Sequence, residues 1–277
     1  MNQYFKVALS CLVLFASAQG AWSTTLEIPL PPPDAFTTTI DNRFWPLTPA
    51  SGAFSYAYMA ETEDGCEWNK LTVTSDTKLL NIDGNVYVAR VIRDQAWESE
   101  DCDISTATFA EDTVDYYAME IATGNIWYFG EDTLSIDDET GLCTDEGAWE
   151  AGVDDATPGV VMLGNPKSGD RYQQEFSEDN AEDWGAVLRL NAKVSIDYGD
   201  FDGCLVTREW TPLAPGEIEH KYYCPETGNP GPGLMYIEEL KGKTVHVEYI
   251  GANLVLGAPG ENIAYPALDD VGSCVIP

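Results

Sequence analysis

The chain has 277 residues, of which 47 are acidic and only 14 basic, giving a formal charge of -33. Such a field repels phosphate backbones and anionic lipid surfaces and gathers cations, which excludes nucleic-acid binding and docking on acidic membranes. The imbalance peaks between Arg93 and Lys167, where 19 aspartates and glutamates occur without one lysine or arginine.

Residues 1–18 read as an export signal: Lys6 gives a positive start, residues 7–15 a short apolar core, and Ala16-Ser17-Ala18 an A-x-A cleavage site. That core is too short to span a bilayer, and no later segment is long enough, so no membrane span is expected. Cleavage leaves 13 basic residues against 47 acidic ones. The signal fits a secreted or periplasmic bacterial protein. Residues 19–40 read as an extended leader, because Pro29-Leu30-Pro31-Pro32-Pro33 suits polyproline II and neither a helix nor an inner strand. A β domain is expected over 41–250, followed by a C-terminal tail over 251–277 tethered by Cys274.

Within the domain the pattern is mostly strand and turn. Segments 54–58, 71–74, 86–91, 114–120, 126–129, 194–198, 204–207, 218–223, 234–240 and 244–250 are rich in β-branched and aromatic residues. Gly, Pro and Asp bound them at short spacing, the signature of antiparallel hairpins. Asp83-Gly84 and Lys241-Gly242 read as two-residue turns. One short helix is expected over 180–190, from a possible Asn180 cap and an acidic first turn, against the helix-weakening Gly185. The expected fold is mainly β, a disulfide-braced, hairpin-rich antiparallel barrel or curved sheet; the segment Val194 to Val206 resembles a hairpin of several extracytoplasmic β-sheet proteins, which implies a lipocalin-like or half-barrel shape.

Six cysteines follow the signal: Cys66, Cys102, Cys143, Cys204, Cys224 and Cys274. An even count in an exported chain reads as three disulfides. Cys66 and Cys102 are equidistant from the Asp83-Gly84 turn, and Cys204 and Cys224 from Leu213-Ala214-Pro215-Gly216. Residues equidistant from a hairpin turn face each other across the ladder, so these pairs are expected, with Cys143 left for Cys274. No C-x-x-C pair supports metal–thiolate chemistry.

Several motifs carry a resemblance. They are Tyr116-Tyr117-Ala118, Gly124-Asn125-Ile126-Trp127-Tyr128-Phe129-Gly130-Glu131 and Gly147-Ala148-Trp149-Glu150-Ala151-Gly152-Val153. Further on come Pro158-Gly159, Gly169-Asp170-Arg171-Tyr172-Gln173-Gln174-Glu175, Glu209-Trp210-Thr211-Pro212-Leu213 and Glu219-His220-Lys221-Tyr222-Tyr223. With them the chain, over roughly residues 41–250, resembles a family of uncharacterised secreted bacterial proteins. The resemblance implies an exported β fold and bears on nothing further. Cys224 and the tail after Ile250 depart from the family's pattern.

Clustered oxygen ligands suit calcium, which takes six to eight oxygens. The candidate Ca2+ ligands are Asp137, Asp138 and Glu139 in one loop and Asp197, Asp200 and Asp202 in another, with Asp101, Asp103, Asp145 and Glu146 as further acidic turns. None matches the EF-hand loop, and a solvated acidic face explains them equally. His220 and His246 are the only histidines. A turn at Lys241-Gly242 sets His246 opposite Ile237, and a turn near Gly228 sets His220 beside Ile237 too, so the pair would sit two strands apart. Carboxylate pairs of the glycosidase type arise by chance in so acidic a chain. The tryptophans and tyrosines suit a small apolar or sugar ligand, or simply a core. The sequence therefore supports a secreted, non-enzymatic binding or structural protein with cations as partners and calcium as the one cofactor considered. Two alternatives stand beside it: a subunit of an extracellular assembly or filament of its own copies, and a secreted hydrolase or isomerase with a site inside the barrel. A cavity lined by perturbed carboxylates would favour the enzyme, and a filled aromatic core the structural role.

Overall fold

A computed structural model describes residues 24–48, 54–136, 143–225 and 232–256. Three short pieces come first, β1 (Thr24–Thr25), a 3-10 turn at Pro33–Ala35 and β2 (Phe36–Thr37), and then the long hairpin strands β3 (Phe54–Glu61) and β4 (Cys66–Ile82). β5 (Asn85–Ser99), β6 (Thr108–Glu120) and β7 (Ile126–Ile136) continue the meander, with the short β8 (Cys143–Thr144) and β9 (Trp149–Glu150) added to β7. Next come β10 (Thr157–Met162), β11 (Asp170–Gln173) and β12 (Glu175–Phe176). A second meander holds β13 (Trp184–Ile196), β14 (Gly199–Trp210), β15 (Glu219–Tyr223), β16 (Leu234–Lys241) and β17 (Lys243–Ala252).

The two meanders join where β17 pairs with β3, so one antiparallel ladder runs from β7 through β3 and β17 to β13 and β11. β10 hydrogen-bonds to β7 on one side, and on the other it meets β12 only at Thr157 and Pro158. The result is a strongly curved sheet rather than a continuous barrel. Its concave side holds an aromatic and aliphatic core that includes Tyr56, Tyr58, Tyr117, Leu205, Tyr223 and Met235. A smaller cluster of Cys66, Trp68, Trp97, Ala107 and Phe109 lies on the opposite face of β4 and β5, as the period-two alternation of strands requires.

The proline-rich segment packs against the sheet. Pro31 carbonyl accepts from the Tyr87 hydroxyl at 3.0 Å, Thr38 carbonyl accepts from Arg90 at 3.0 Å, and Phe36 meets the rings of Tyr87, Trp127 and Phe129 edge-on. Polyproline II appears at Pro32, with φ -65 and ψ 158. Ile40, Phe44, Trp45 and Leu47 then enter the core.

The Asp83-Gly84 turn forms as expected, with both residues at positive φ (51 and 81) and Asn81 accepting the Gly84 N–H at 3.0 Å. Cys204 bonds to Cys224 and Cys66 to Cys102. Cys204 and Cys224 follow the register of β14 and β15, whose next pair is Leu205 with Tyr223. Cys66, in contrast, pairs with Ser99, and Cys102 reaches it from a turn at φ 59. An irregularity between Val73 and Thr77 shifts that ladder. Cys143 is oxidised as well; its expected partner Cys274 lies outside the described residues, as do residues 1–18.

The expected helix over 180–190 is absent. Residues 184–196 are strand β13, hydrogen-bonded to β11 and β14. Pairing on both sides overrides a weak helical tendency. Gly185, which counted against the helix, is needed here because a Cβ would lie 2.7 Å from the Tyr172 ring.

Candidate functional site: a carboxylate chamber on the concave face

β6 places Thr113, Asp115 and Tyr117 on the concave side, since alternate residues of a strand share a face. Asp115 pairs with Glu131 of β7, and Tyr117 with Tyr128, with a register shift between them. That shift lets Tyr128 and Glu131, three residues apart, face the same way. Gly130 makes it possible: its φ is +128, and a Cβ there would lie 2.3 Å from the Trp149 carbonyl oxygen as β9 crosses. The Tyr128 hydroxyl stands 2.8 Å from Asp115 Oδ1 and 2.9 Å from Glu131 Oε2. A phenol has one proton to donate. Both contacts are hydrogen bonds only when one of the two carboxyls carries a proton.

Across the concavity, β14 and β15 contribute Glu209 and Lys221. Lys221 Nζ lies 2.9 Å from Glu209 Oε2 and 3.2 Å from Glu219 Oε2, and Thr207 donates to Glu209 Oε1 at 2.8 Å. β12 and the segment after it bring in Glu175 and Asp183. Together Trp45, Tyr117, Tyr128, Val161, Gln174, Glu175, Asp183, Glu209, Lys221 and Tyr223 line a chamber of about 120 Å³. Glu175 is 9% exposed, and its Oε2 has no hydrogen-bond partner. The Trp149 indole is near enough to favour its ionised form, yet without hydrogen-bond geometry, and Trp149 Nε1 is also unpaired.

Burial dominates the electrostatics. It raises Asp115 to about 7, helped by the charge of Glu131 and opposed by hydrogen bonds from Tyr128 and Tyr117. Burial also raises Glu131 to about 7, with Glu111 adding to the effect. Asp94 reaches about 7 through burial and the charges of Asp115 and Glu111. Burial, then Asp183 and Glu131, push Glu175 well above the usual carboxylate range. Burial works against the Lys221 ammonium, but Glu209 and Glu219 outweigh it and hold its pKa well above that of an ordinary lysine. Burial thus favours the protonated form of Glu175 and Asp183 in the chamber wall and of Asp94, Asp115 and Glu131 beside it.

The residues singled out from sequence lie elsewhere. Asp137, Asp138 and Glu139 are outside the described residues. Asp197, Asp200 and Asp202 sit on the exposed β13–β14 hairpin and face separate partners. Lys193 pairs with Asp202 at 2.8 Å, Ser195 donates to Asp200 at 2.6 Å, and the Asp197 N–H donates to Glu248 at 3.4 Å. Asp101 accepts from Ser99, Asp103 and Thr106 in its own loop. Among the described residues no three His, Cys, Asp or Glu side chains converge tightly enough to hold a metal ion.

The histidines also differ from expectation. The β16–β17 turn centres on Gly242, with Lys241 opposite Lys243, so His246 faces Glu238 rather than Ile237. His220 is opposite Glu238 as well. A one-residue slip moves side chains to the other face: Ile237 packs on the core, while the histidines join the outer row. There His220 Nδ1 is 3.2 Å from Glu238 Oε2, and His246 Nδ1 is 2.8 Å from the Tyr236 hydroxyl.

Sequence reasoning missed Asp115, Glu131, Glu175, Asp183 and Glu209 as a group, since they are a handful among 47 acidic residues. One signal was available: in Val114-Asp115-Tyr116-Tyr117-Ala118 both strand faces are apolar, leaving Asp115 no solvent side. Most of the chamber wall, including Tyr117, Tyr128, Gln174, Glu175, Glu209, Lys221 and Tyr223, falls within the motif segments quoted above.

No protein-family model and no curated protein matches the chain. Among solved structures it is similar to the crystal structure of "a putative lipoprotein from Parabacteroides distasonis", at 9% identity, over 76% of this chain and 97% of that one, with a TM-score of 0.35. So loose a likeness carries no argument about function. The disulfides fit an extracellular or periplasmic protein, and no described helix is long and apolar enough to cross a membrane. The most distinctive feature of the described chain is the chamber itself, with Glu175, Asp183 and Glu209 withdrawn from water around a small void.

Proposed function

We propose that this is an exported, non-enzymatic binding protein whose concave chamber takes one small cation. The observation that carries the reading is Glu175, buried among like-charged neighbours, with one carboxylate oxygen that makes no hydrogen bond although the Trp149 indole is near. Protons neutralise such a cluster when it is empty, and a bound cation replaces them. Size supports the same reading. About 120 Å³ is well below the roughly 300–1,000 Å³ of sites for drug-sized ligands, so a sugar ring or bulky substrate does not enter without expansion. The surface aspartates proposed for calcium are a separate expectation, tested by the same titration.

Isothermal titration with calcium chloride and with methylammonium chloride, each in two buffers of different ionisation enthalpy, tests the proposal. At least one cation is expected to bind with release of protons, and Glu175→Gln to weaken it about tenfold or more. No binding by either of these or by tetramethylammonium, or binding indifferent to Glu175→Gln, refutes it.

A second reading, an enzyme, meets the criterion stated for it above, a cavity lined by perturbed carboxylates. Asp115 and Glu131 share the Tyr128 hydroxyl and titrate near 7, which is the pKa range that general acid–base catalysis needs. A hydrolase or isomerase built on this pair loses turnover in Asp115→Asn, whereas the binding reading predicts no turnover to lose.

A further inference from the structure

The chamber is walled by aromatic rings as much as by carboxylates. Trp45 arrives from the N-terminal segment, Tyr117 from β6, Tyr128 from β7 and Tyr223 from β15, and all four line the void. They touch one another: Trp45 with Tyr117 at 5.4 Å, Trp45 with Tyr223 at 5.9 Å, and Tyr117 stacked on Tyr128 at 4.7 Å between ring centroids. Their mutual contacts fix the walls in place before any ligand enters.

Such a wall selects among cations. A bare metal ion needs several oxygens converging on one point, and the described carboxylates do not converge. A primary ammonium needs three acceptors for its three N–H groups, and the chamber already holds one, Lys221, on Glu209 and Glu219. Among the remaining carboxylates, Asp115 is engaged by phenol hydroxyls and Glu131 by Tyr128. These two offer negative charge more than free acceptors, and Glu175 Oε2 is the one buried oxygen of the described wall without a hydrogen bond, short of the three acceptors a primary ammonium needs. A methylated ammonium asks for that combination: it has few or no N–H donors, spreads its charge over its methyl groups, and is held by aromatic faces and nearby negative charge. The void matches in size. At about 120 Å³ it suits a compact group of a few non-hydrogen atoms rather than a drug-sized ligand.

Building on the cation-chamber reading, we infer that the chamber recognises a methylated ammonium group, with Trp45, Tyr117, Tyr128 and Tyr223 as the cage and Glu175 and Asp183 as the counter-charge. Asp183, Val161 and Lys221 are half-buried, so this is the side that faces solvent and admits the group.

The test titrates the full exported chain with tetramethylammonium chloride, methylammonium chloride and calcium chloride, against sodium chloride at equal ionic strength, by calorimetry and tryptophan fluorescence. Tetramethylammonium is expected to bind about tenfold or more tighter than methylammonium, and Trp45→Ala to weaken it about tenfold, the upper part of the cation–π range. Trp45→Phe, which keeps a ring, is expected to retain most of the affinity. Should Trp45→Ala fail to fold, by circular dichroism and thermal melting, Tyr223→Leu takes its place. Tighter binding of methylammonium or calcium, or tetramethylammonium binding unchanged in the ring-deleting variant, overturns the methylated-ammonium inference and leaves the cation chamber standing. Binding of none of the three overturns both.

Discussion

Lys221→Met isolates the one positive charge lining the chamber. Methionine keeps the length of the stem and removes the ammonium, and with it the contacts at 2.9 Å to Glu209 and 3.2 Å to Glu219. Glu219 is 41% exposed and re-solvates, so its share is below about 1 kcal/mol. Glu209 is 10% exposed and keeps only the Thr207 hydroxyl on its other oxygen. Breaking a buried pair by removing one partner costs roughly 3–5 kcal/mol, because the charge left behind is uncompensated. Lys221 reaches water over 26% of its side chain, so the low end applies, about 3 kcal/mol at pH 7. Urea unfolding followed by tryptophan fluorescence reads the change as a shift in midpoint at constant slope. Lys221→Met combined with Glu209→Gln removes both charges and should recover most of the loss, to within about 1 kcal/mol of the parent. A single variant costing less than about 1 kcal/mol, or a double variant as unstable as the single, would mean that Lys221 does not neutralise the chamber.

Other outcomes follow from the same geometry. Asp94, Asp115 and Glu131 have folded pKa values raised to about 7, so the folded chain holds these protons more tightly than the unfolded one. Stability should then be lowest above pH 7 and rise as pH falls toward the ordinary carboxylate range near about 4; a melting temperature that drops steadily from pH 8 to 5 contradicts this. Gly130→Ala forces a Cβ to 2.3 Å from the Trp149 carbonyl at φ +128 and should cost about 3 kcal/mol or more, with a quieter substitution at Gly84, where a Cβ meets nothing within 4 Å, as the comparison. Removing the Cys204–Cys224 bridge, which closes a sequence separation of 20, should lower stability by about 3 kcal/mol, read as a lower urea midpoint in the double alanine variant. Non-reducing peptide mapping is expected to join Cys143 to Cys274, and a Cys143 peptide linked to any other cysteine rules that pairing out.

Much of the fold was legible in the residues. β-branched and aromatic runs between Gly, Pro and Asp marked most of the hairpins, because strand alternation and turn geometry are local. The Asp83-Gly84 turn and the Cys204–Cys224 bridge follow directly from such local symmetry. The Cys66–Cys102 pairing came out as expected although its reason did not: a ladder irregularity and a left-handed turn at Cys102 bring the sulfurs together, and no spacing rule announces a bulge. β13 read in part as a helix because a strand paired on both sides owes its stability to its neighbours, which a single segment does not show. The histidine register failed by one residue for the same reason that made it important, since one residue of slip exchanges the two faces of a strand.

The chamber lies at the far end of this scale. By itself the sequence determined paired cysteines, a β fold and an excess of negative charge. Those are properties of composition, of short motifs and of nearest neighbours along the chain. Only the tertiary structure decided which acidic residues out of 47 are taken from water. Asp115, Glu131, Glu175 and Glu209 come from four strands, and a carboxylate becomes special when desolvation and like-charged neighbours act on it together. Both effects depend on which strands curve around the same space, and that is set by pairings as distant along the chain as β17 with β3.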